Sequence, residues 1–454
     1  MDQRLFASFA EDIISDYQIP GVAVGINHKG RRAYEKGFGY RDKEEDLPVT
    51  SSTVFGLASI TKSFTCMAIM QLHEQGKLHI HDPVQQYLPA FKIKEATIHH
   101  FMTHTSGLPP LDSIMAANKR SFDQDPSFQD YPGVKLEHVD REPIDTYAQL
   151  LDYIASLDAE LLGKPGEVFS YSNDCYSLLG AIIEKASGQS YESYVDEHIL
   201  QPLGMIHTSF FPEPSFELTM LYAKRTEVYP APIWWDAPAM RGTGGLKSSL
   251  DDMLRYTEVY LNGGESAGKR LLTAESVKAM MTPHVKMEPG KYYGYGLMIT
   301  PDYYGQKLVE HGGSLKAISS LMAMVPERKL AGVVLTNLAG VPAGKILHGG
   351  LNVHEGRHPE ETHVSHPPAL SVKVEMLKDY EGTYRSLEGM NLAAWLEGET
   401  LLIQYQDDTY EATPTGEDGF LINVRGENEY VRFIRDDNDV VRYVAFHYRQ
   451  FPKV

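Results

Sequence analysis

Cysteine is nearly missing from this 454-residue chain, which has two, Cys66 and Cys175. Both fall inside apolar helical patterns, with neither the paired spacing of a metal site nor enough partners for a disulfide framework. Long apolar runs are missing too. No stretch of about 18 apolar residues occurs, and residues 1–11 lack the apolar core of a signal peptide, so the expectation is a soluble, cytoplasmic protein without a membrane span. Positive charge is scarce: 42 Lys and Arg stand against 61 Asp and Glu, a formal charge of −19. Such a surface repels phosphate backbones and anionic headgroups, and nucleic acid is excluded as an expected partner. The remaining composition, 42% hydrophobic, 10% aromatic and 23% charged, describes a globular chain with a sizeable core.

The hydrophobic pattern changes along the chain. Residues 3–16 read as an amphipathic helix, followed by a strand at 22–26, a Lys29-Gly30 turn and a second strand at 32–40. From Ser59 to about His73 the apolar residues Ile60, Phe64, Met67 and Ala68 keep a 3.6-residue period, with Gly76 as a stop. Further helices are expected at 147–155 and 176–186, and extended runs at 308–310, 317–325 and 330–336. A sheet built from both ends of the first 340 residues fits this order. Between His348 and Pro368 lie Gly349-Gly350, Pro359, Pro367-Pro368 and five histidines. That composition reads as a solvated linker rather than a metal site, because no carboxylate or cysteine pattern completes a ligand set. Short alternating runs from Asn391 to Phe446 predict a small antiparallel barrel. The expected organisation is therefore a domain at 1–347, a linker at 348–368 and an all-β domain at 369–454.

One local signal carries chemistry. In Ser59-Ile60-Thr61-Lys62 the serine and lysine share one helix face. A serine hydroxyl is a weak nucleophile until a neighbour takes its proton, and a partly desolvated lysine can do so as the neutral amine. The helix N-terminus adds N–H groups near a developing oxyanion. Alone, Ser-x-x-Lys arises about once by chance in a chain of this length. Two further groups raise its weight: Tyr171-Ser172-Asn173, and His311-Gly312-Gly313-Ser314, placed between two extended runs. His104 tempts toward a Ser–His pair, but a structural role is the plainer reading.

These groups, in this order, come with Ile19-Pro20-Gly21-Val22-Ala23-Val24, Thr53-Val54-Phe55, His104-Thr105-Ser106-Gly107-Leu108, Pro202-Leu203-Gly204-Met205 and Gly244-Gly245-Leu246. Residues 5–345 thereby resemble the serine β-lactamase and penicillin-binding-protein superfamily, in its class C-like branch of esterases, D-aminopeptidases and DD-peptidases. The resemblance implies an α+β fold, an antiparallel sheet flanked by helices with an all-helical lobe beside it, and the C-terminal part resembles the lipocalin-like extension of some peptidase members. It implies Ser59 as nucleophile, Lys62 as its proton acceptor or electrostatic support, and Tyr171 as the proton shuttle. Asn173 would bind the acyl amide, and the N–H groups of Ser59 and Ser314 would form the oxyanion hole beside Gly312 and Gly313. No cofactor or metal is implied. For Tyr171 to act as a base at neutral pH, it would need cationic or donor neighbours, which Lys62 and His311 could supply.

One departure bears on substrate. The β-lactamase branch has Lys-Thr-Gly where this chain has His311-Gly312-Gly313, which replaces a permanent cation by an imidazole expected to titrate between about pH 5.5 and 7.5. A site without a fixed positive charge favours neutral substrates. The expected function is a serine hydrolase for small peptides, D-residue-containing ones foremost, or for esters. A β-lactamase or DD-carboxypeptidase is the first rival, and a non-catalytic binding protein the second. A homo-oligomer stays open. The polar segment at 109–146 is expected over the cleft, with Trp234-Trp235, flanked by Pro232 and Pro238, as possible pocket lining.

Overall fold

The computed structural model describes residues 1–128, 142–157, 160–224, 227–231, 233–363, 367–405, 408–416, 418–424 and 427–454. Helix α1 (Gln3–Asp16) starts at Asp2, whose carboxylate accepts the N–H groups of Arg4 and Leu5, and it buries Phe6, Ala10 and Ile13 along one stripe. Strands β1 (Gly21–His28) and β2 (Arg31–Asp42) form a hairpin through Lys29 and Gly30, both at positive φ, as a two-residue turn between twisted strands requires. With β3 (Leu47–Pro48), β4 (Val285–Glu288), β5 (Lys291–Tyr293), β6 (Met298–Tyr303), β7 (Gln306–Leu315), β8 (Ile318–Val325) and β9 (Leu330–Thr336) they make one antiparallel sheet in the order β4-β5-β6-β7-β8-β9-β1-β2-β3. Both chain ends of the first 340 residues thus meet at the β9–β1 pair.

Every residue of β8 and β9 is buried. An antiparallel sheet reads as alternating only when one face is wet, and here neither is. Val22, Val24, Ile26, Ala323 and Val334 pack with Phe6 and Leu347, whereas Ala23, Met322, Met324 and Val333 pack with Leu250 and Leu254. The second face also meets a helical lobe that contains α2 (Thr61–Glu74), α3 (Ser113–Gln124) and α4 (Asn173–Ser187). Helix α2 is buried continuously from Thr61 to Leu72. It is preceded by a separate short 3-10 turn, Ala58–Ile60, so the helix expected from Ser59 starts two residues later.

The chain stays helical past residue 347. Helix α5 (Leu250–Leu261) covers one face of the sheet, and α6 (Ala343–His354) packs against α1 on the other. Residues 348–354, expected as linker, are therefore helical. Gly349-Gly350 read as breakers, yet a Cβ at Gly349 would come within 2.2 Å of the Phe9 ring, so the glycines serve helix contact. Beyond it, β10 (Gly382–Arg385), β11 (Asn391–Glu397), β12 (Thr400–Tyr405) and β13 (Asp408–Glu411) form one antiparallel sheet. A second contains β14 (Thr413–Gly416), β15 (Gly419–Val424), β16 (Glu427–Arg435), β17 (Val441–Phe446) and β18 (Arg449–Pro452). They enclose a core of their own around Tyr384, Ile403, Phe433 and Phe451. Where a barrel was expected there are two open sheets, joined among the described residues by an isolated Tyr384–Lys453 bridge instead of a continuous ladder. No helix among the described residues is long and apolar enough to cross a membrane.

Candidate active site

Ala58 holds φ at +45°, a left-handed conformation that costs a residue with a Cβ about 1–3 kcal/mol. The bend turns Ser59 onto the wall of a cleft of about 630 Å³ between sheet and helical lobe. Lys62 follows one turn later and is 0% exposed. Its Nζ lies 2.9 Å from Asn173 Oδ1, 2.9 Å from the Thr243 carbonyl and 3.2 Å from Ser59 Oγ. Burial, helped by the charge of Arg449, pushes the lysine pKa well below its ordinary value. A neutral amine has two N–H donors, and the two carbonyl oxygens take both. Its lone pair is then left for the Ser59 hydroxyl.

Asn173 opens α4, whose N-cap Ser172 accepts the Cys175 N–H. Its Oδ1 also accepts from Thr243 Oγ1 at 2.8 Å, and the side chain lines the cleft. Tyr171, just before the cap, is hydrogen-bonded to Ser59. Burial pushes its phenol up, and the charge of Arg449 opposes the shift without reversing it. Tyr171 is accordingly a proton-carrying phenol. Of the cationic or donor support expected from Lys62 and His311, burial opposes the cationic kind, because it favours the neutral form of each.

His311-Gly312-Gly313-Ser314 lies inside the continuous strand β7, not between two runs. Glycines weaken a strand pattern in sequence, but a Cβ at Gly313 would sit 2.0 Å from the Leu57 carbonyl, so the turn that carries Ser59 can rest on this strand only at glycine. His311 Nδ1 donates to the Gly312 carbonyl at 2.7 Å, and Nε2 faces the Tyr293 hydroxyl at 3.0 Å. Burial first, then Lys62, lower its pKa to about 4. The expected titration near neutrality is therefore corrected: His311 stays an uncharged imidazole there. Gly312, Gly313 and Ser314 all line the cleft beside Ser59.

His104 accepts the Ser172 N–H on Nδ1 at 3.0 Å and stacks on the Tyr171 ring at 4.2 Å between centroids. It braces the segment that carries Tyr171. Ile114 and Asn118 of α3 and Trp235 line the cleft, and the Trp235 indole donates to Asp125 at 2.7 Å. Trp234 packs instead near Leu221 and Ala317. Residues 129–141, within the segment expected over the cleft, and Pro232 lie outside the described residues.

Sequence reasoning missed the contribution of the C-terminal domain. Tyr448 and Arg449, from the β17–β18 hairpin, line the same cleft as Ser59. Their turn, His447-Tyr448, has both residues at positive φ, +46° and +67°. Such turns ordinarily announce themselves as Asn-Gly. The remaining signal was the short alternating run that ends at Phe446, and it says nothing about where the tip points. Glu310 and His348, 2.7 Å apart, add a second polar pair to the cleft wall.

Comparison with known proteins places this geometry. The β-lactamase family model matches residues 3–350. The chain is similar to protein flp of Staphylococcus aureus (strain COL), 28% identical over 352 residues, 74% of this chain and 63% of that protein. It thus spans under two thirds of flp. A penicillin-binding protein of Bacillus subtilis (strain 168) is 27% identical over 353 residues, 74% of this chain and 71% of that protein. The octameric penicillin-binding protein homologue from Pyrococcus abyssi is 30% identical, with a TM-score of 0.72, and the match covers 100% of both chains, C-terminal domain included. With a family match across more than three quarters of its length and the Ser59 cleft between sheet and helical lobe, the chain belongs to the β-lactamase family.

Proposed function

We propose that this protein is a serine hydrolase that forms an acyl-enzyme on Ser59 and cleaves short peptides or esters. The observation that supports it most is the donor count at Lys62, whose two N–H groups have carbonyl acceptors and whose lone pair remains for Ser59. Lys62 takes the Ser59 proton as Oγ bonds to the substrate carbonyl carbon. The scissile bond then breaks, Tyr171 gives its proton to the departing nitrogen or oxygen, and the proton held by Lys62 replaces it. Water attacks the acyl carbon, releases the acid and restores the Ser59 hydroxyl. Asn173 binds the acyl amide, and the N–H groups of Ser59 and Ser314 receive the oxyanion.

Substrate class follows from charge. His311 brings no cation, but Arg449 does, so the cleft is not without a fixed positive charge as position 311 alone suggested. This favours short peptides with a free carboxylate on the leaving side, next to Tyr171, over neutral esters. The test is intact-mass labelling with a fluorophosphonate and a penicillin, followed by kcat/KM for D- and L-peptides as free acids and as amides. A charge-assisted contact of about 1.5–3 kcal/mol predicts a preference for the acid of about ten- to a hundredfold. Equal rates on acid and amide would leave neutral peptides or esters as the substrate class, and the absence of any Ser59 adduct would sink the hydrolase reading.

We also propose that residues 369–454 form a separately folding unit. Its core is distinct from both cores of the larger domain. Limited proteolysis between residues 355 and 368 should release two stable fragments.

A further inference from the structure

The C-terminal domain reaches the cleft through the tip of the β17–β18 hairpin. The Tyr448 carbonyl accepts the Tyr171 N–H at 2.8 Å, and Gln450 Nε2 donates to the Phe169 carbonyl at 3.0 Å. Two positions of the tip thus grip alternate residues of the segment that carries Tyr171. Between them Arg449 lines the cleft, its guanidinium carbon 5.2 Å from the Tyr171 ring centroid, while Lys62 Nζ is 4.8 Å from the same centroid. Arg449 is held in turn: Nε lies 2.5 Å from Glu388 Oε2, and a terminal nitrogen donates to the His447 carbonyl at 3.4 Å. The two left-handed turn residues store strain of the kind that persists only where surroundings fix it.

We propose that the C-terminal domain is part of the catalytic apparatus: its hairpin tip holds Tyr171 in place, and Arg449 is a positioning residue whose permanent charge conditions Lys62 and Tyr171 for proton transfer. The proposal rests on the serine-hydrolase reading above. A guanidinium does not lose its proton in a protein, so Arg449 disfavours a second cation beside it at every working pH. Lys62 accepts a proton only as the free amine, and Arg449 acts with burial to keep it so. The same charge draws the Tyr171 phenol downward, against burial. The other groups around Lys62 are Cys66, Tyr176, His104 and His311. Burial pushes the Cys66 thiol up to about 12 and Tyr176 well above its ordinary value, and it holds both imidazoles low. All four are uncharged near neutrality. Arg449 is then the charged group that acts on Lys62, and Glu388 bears on it through its ion pair with Arg449.

The test is the pH dependence, from pH 5 to 9, of Ser59 labelling by a fluorophosphonate, a probe without a carboxylate and therefore blind to any substrate carboxylate at Arg449. Wild type, Arg449→Lys, Arg449→Met and Glu388→Gln are compared by intact mass. In Arg449→Met the midpoint of the acid limb should rise by about one pH unit, about tenfold slower labelling below it. Arg449→Lys should restore the wild-type midpoint, and Glu388→Gln, which strips the guanidinium of its counter-charge, should lower it. One midpoint shared by all four proteins, whatever their absolute rates, overturns the proposal. If Arg449→Met does not fold, the opposite shift in Glu388→Gln carries the test. Failure of the wild type to label at any pH would instead overturn the hydrolase reading itself.

Discussion

Two bends bring chemistry to the same cleft from opposite ends of the chain. At residues 58–62 a left-handed Ala58 and a short turn present Ser59, with Lys62 one turn along the helix. At residues 446–450 a left-handed His447 and Tyr448 present Arg449. Both store backbone strain, and both are held by the surrounding fold. They differ in what fixes the functional side chain. Ser59 and Lys62 are placed relative to each other by one helical turn, a local geometry that their spacing encodes. Arg449 is placed relative to Tyr171, 278 positions away in sequence, by contact between two domains, which no spacing encodes.

Ser59→Ala gives the largest effect. Hydrolysis and covalent labelling should vanish together while the melting temperature stays within a few degrees, because the hydroxyl contributes little to stability beyond about 1 kcal/mol. Adduct formation that survives would show that the first bend is not the nucleophile's. Lys62→Ala and Tyr171→Phe should each slow acylation by at least about a hundredfold, as expected for a lost proton-transfer group. Rapid-mixing measurement of acylation, apart from turnover, gives the number.

The same contrast explains what was legible in the sequence. Helix α1, the β1–β2 hairpin and strands β8 and β9 follow from periodicity and turn chemistry. Ser59, Lys62, Tyr171 and Asn173 stand out because each begins or adjoins an element whose cap or period is local. Strand β7 did not read as continuous, since Gly313 answers a contact with Leu57 that lies elsewhere in the chain. Helix α6 was lost for the same reason, its glycines facing Phe9 and Phe6 of α1. The hairpin tip was invisible because His-Tyr has no turn propensity of its own, and the contacts that hold it belong to Phe169 and Tyr171.

Gln450→Ala sharpens the comparison at the second bend. It removes the donor to the Phe169 carbonyl while leaving Arg449 and its Glu388 partner in place. Loss of one buried hydrogen bond is worth about 1 kcal/mol. If the whole loss falls on the arrangement that reacts, labelling slows about fivefold, with no displacement of the pH midpoint. A rate equal to wild type would mean that the main-chain bond from Tyr171 to Tyr448 suffices to dock the tip.

The smallest effect on rate at pH 7 belongs to His311. Its folded pKa is about 4, lowered from 6.5 by burial and by Lys62. Between those two values the unfolded chain binds a proton that the folded protein does not, so stability rises with pH across this window. The contribution is complete above about pH 6.5 and is lost progressively as pH falls toward 4. His311→Asn removes the titrating group while leaving a polar side chain against Tyr293. Its melting temperature should fall less than the wild type's on acidification from pH 7 to pH 4.5, and labelling between about pH 5.5 and 7.5 should keep the wild-type profile. An inflection in that range which disappears in His311→Asn would mean that the imidazole is charged in the working enzyme. The cation of this site would then come from strand β7 after all, and the assignment of that role to Arg449 would fall with it.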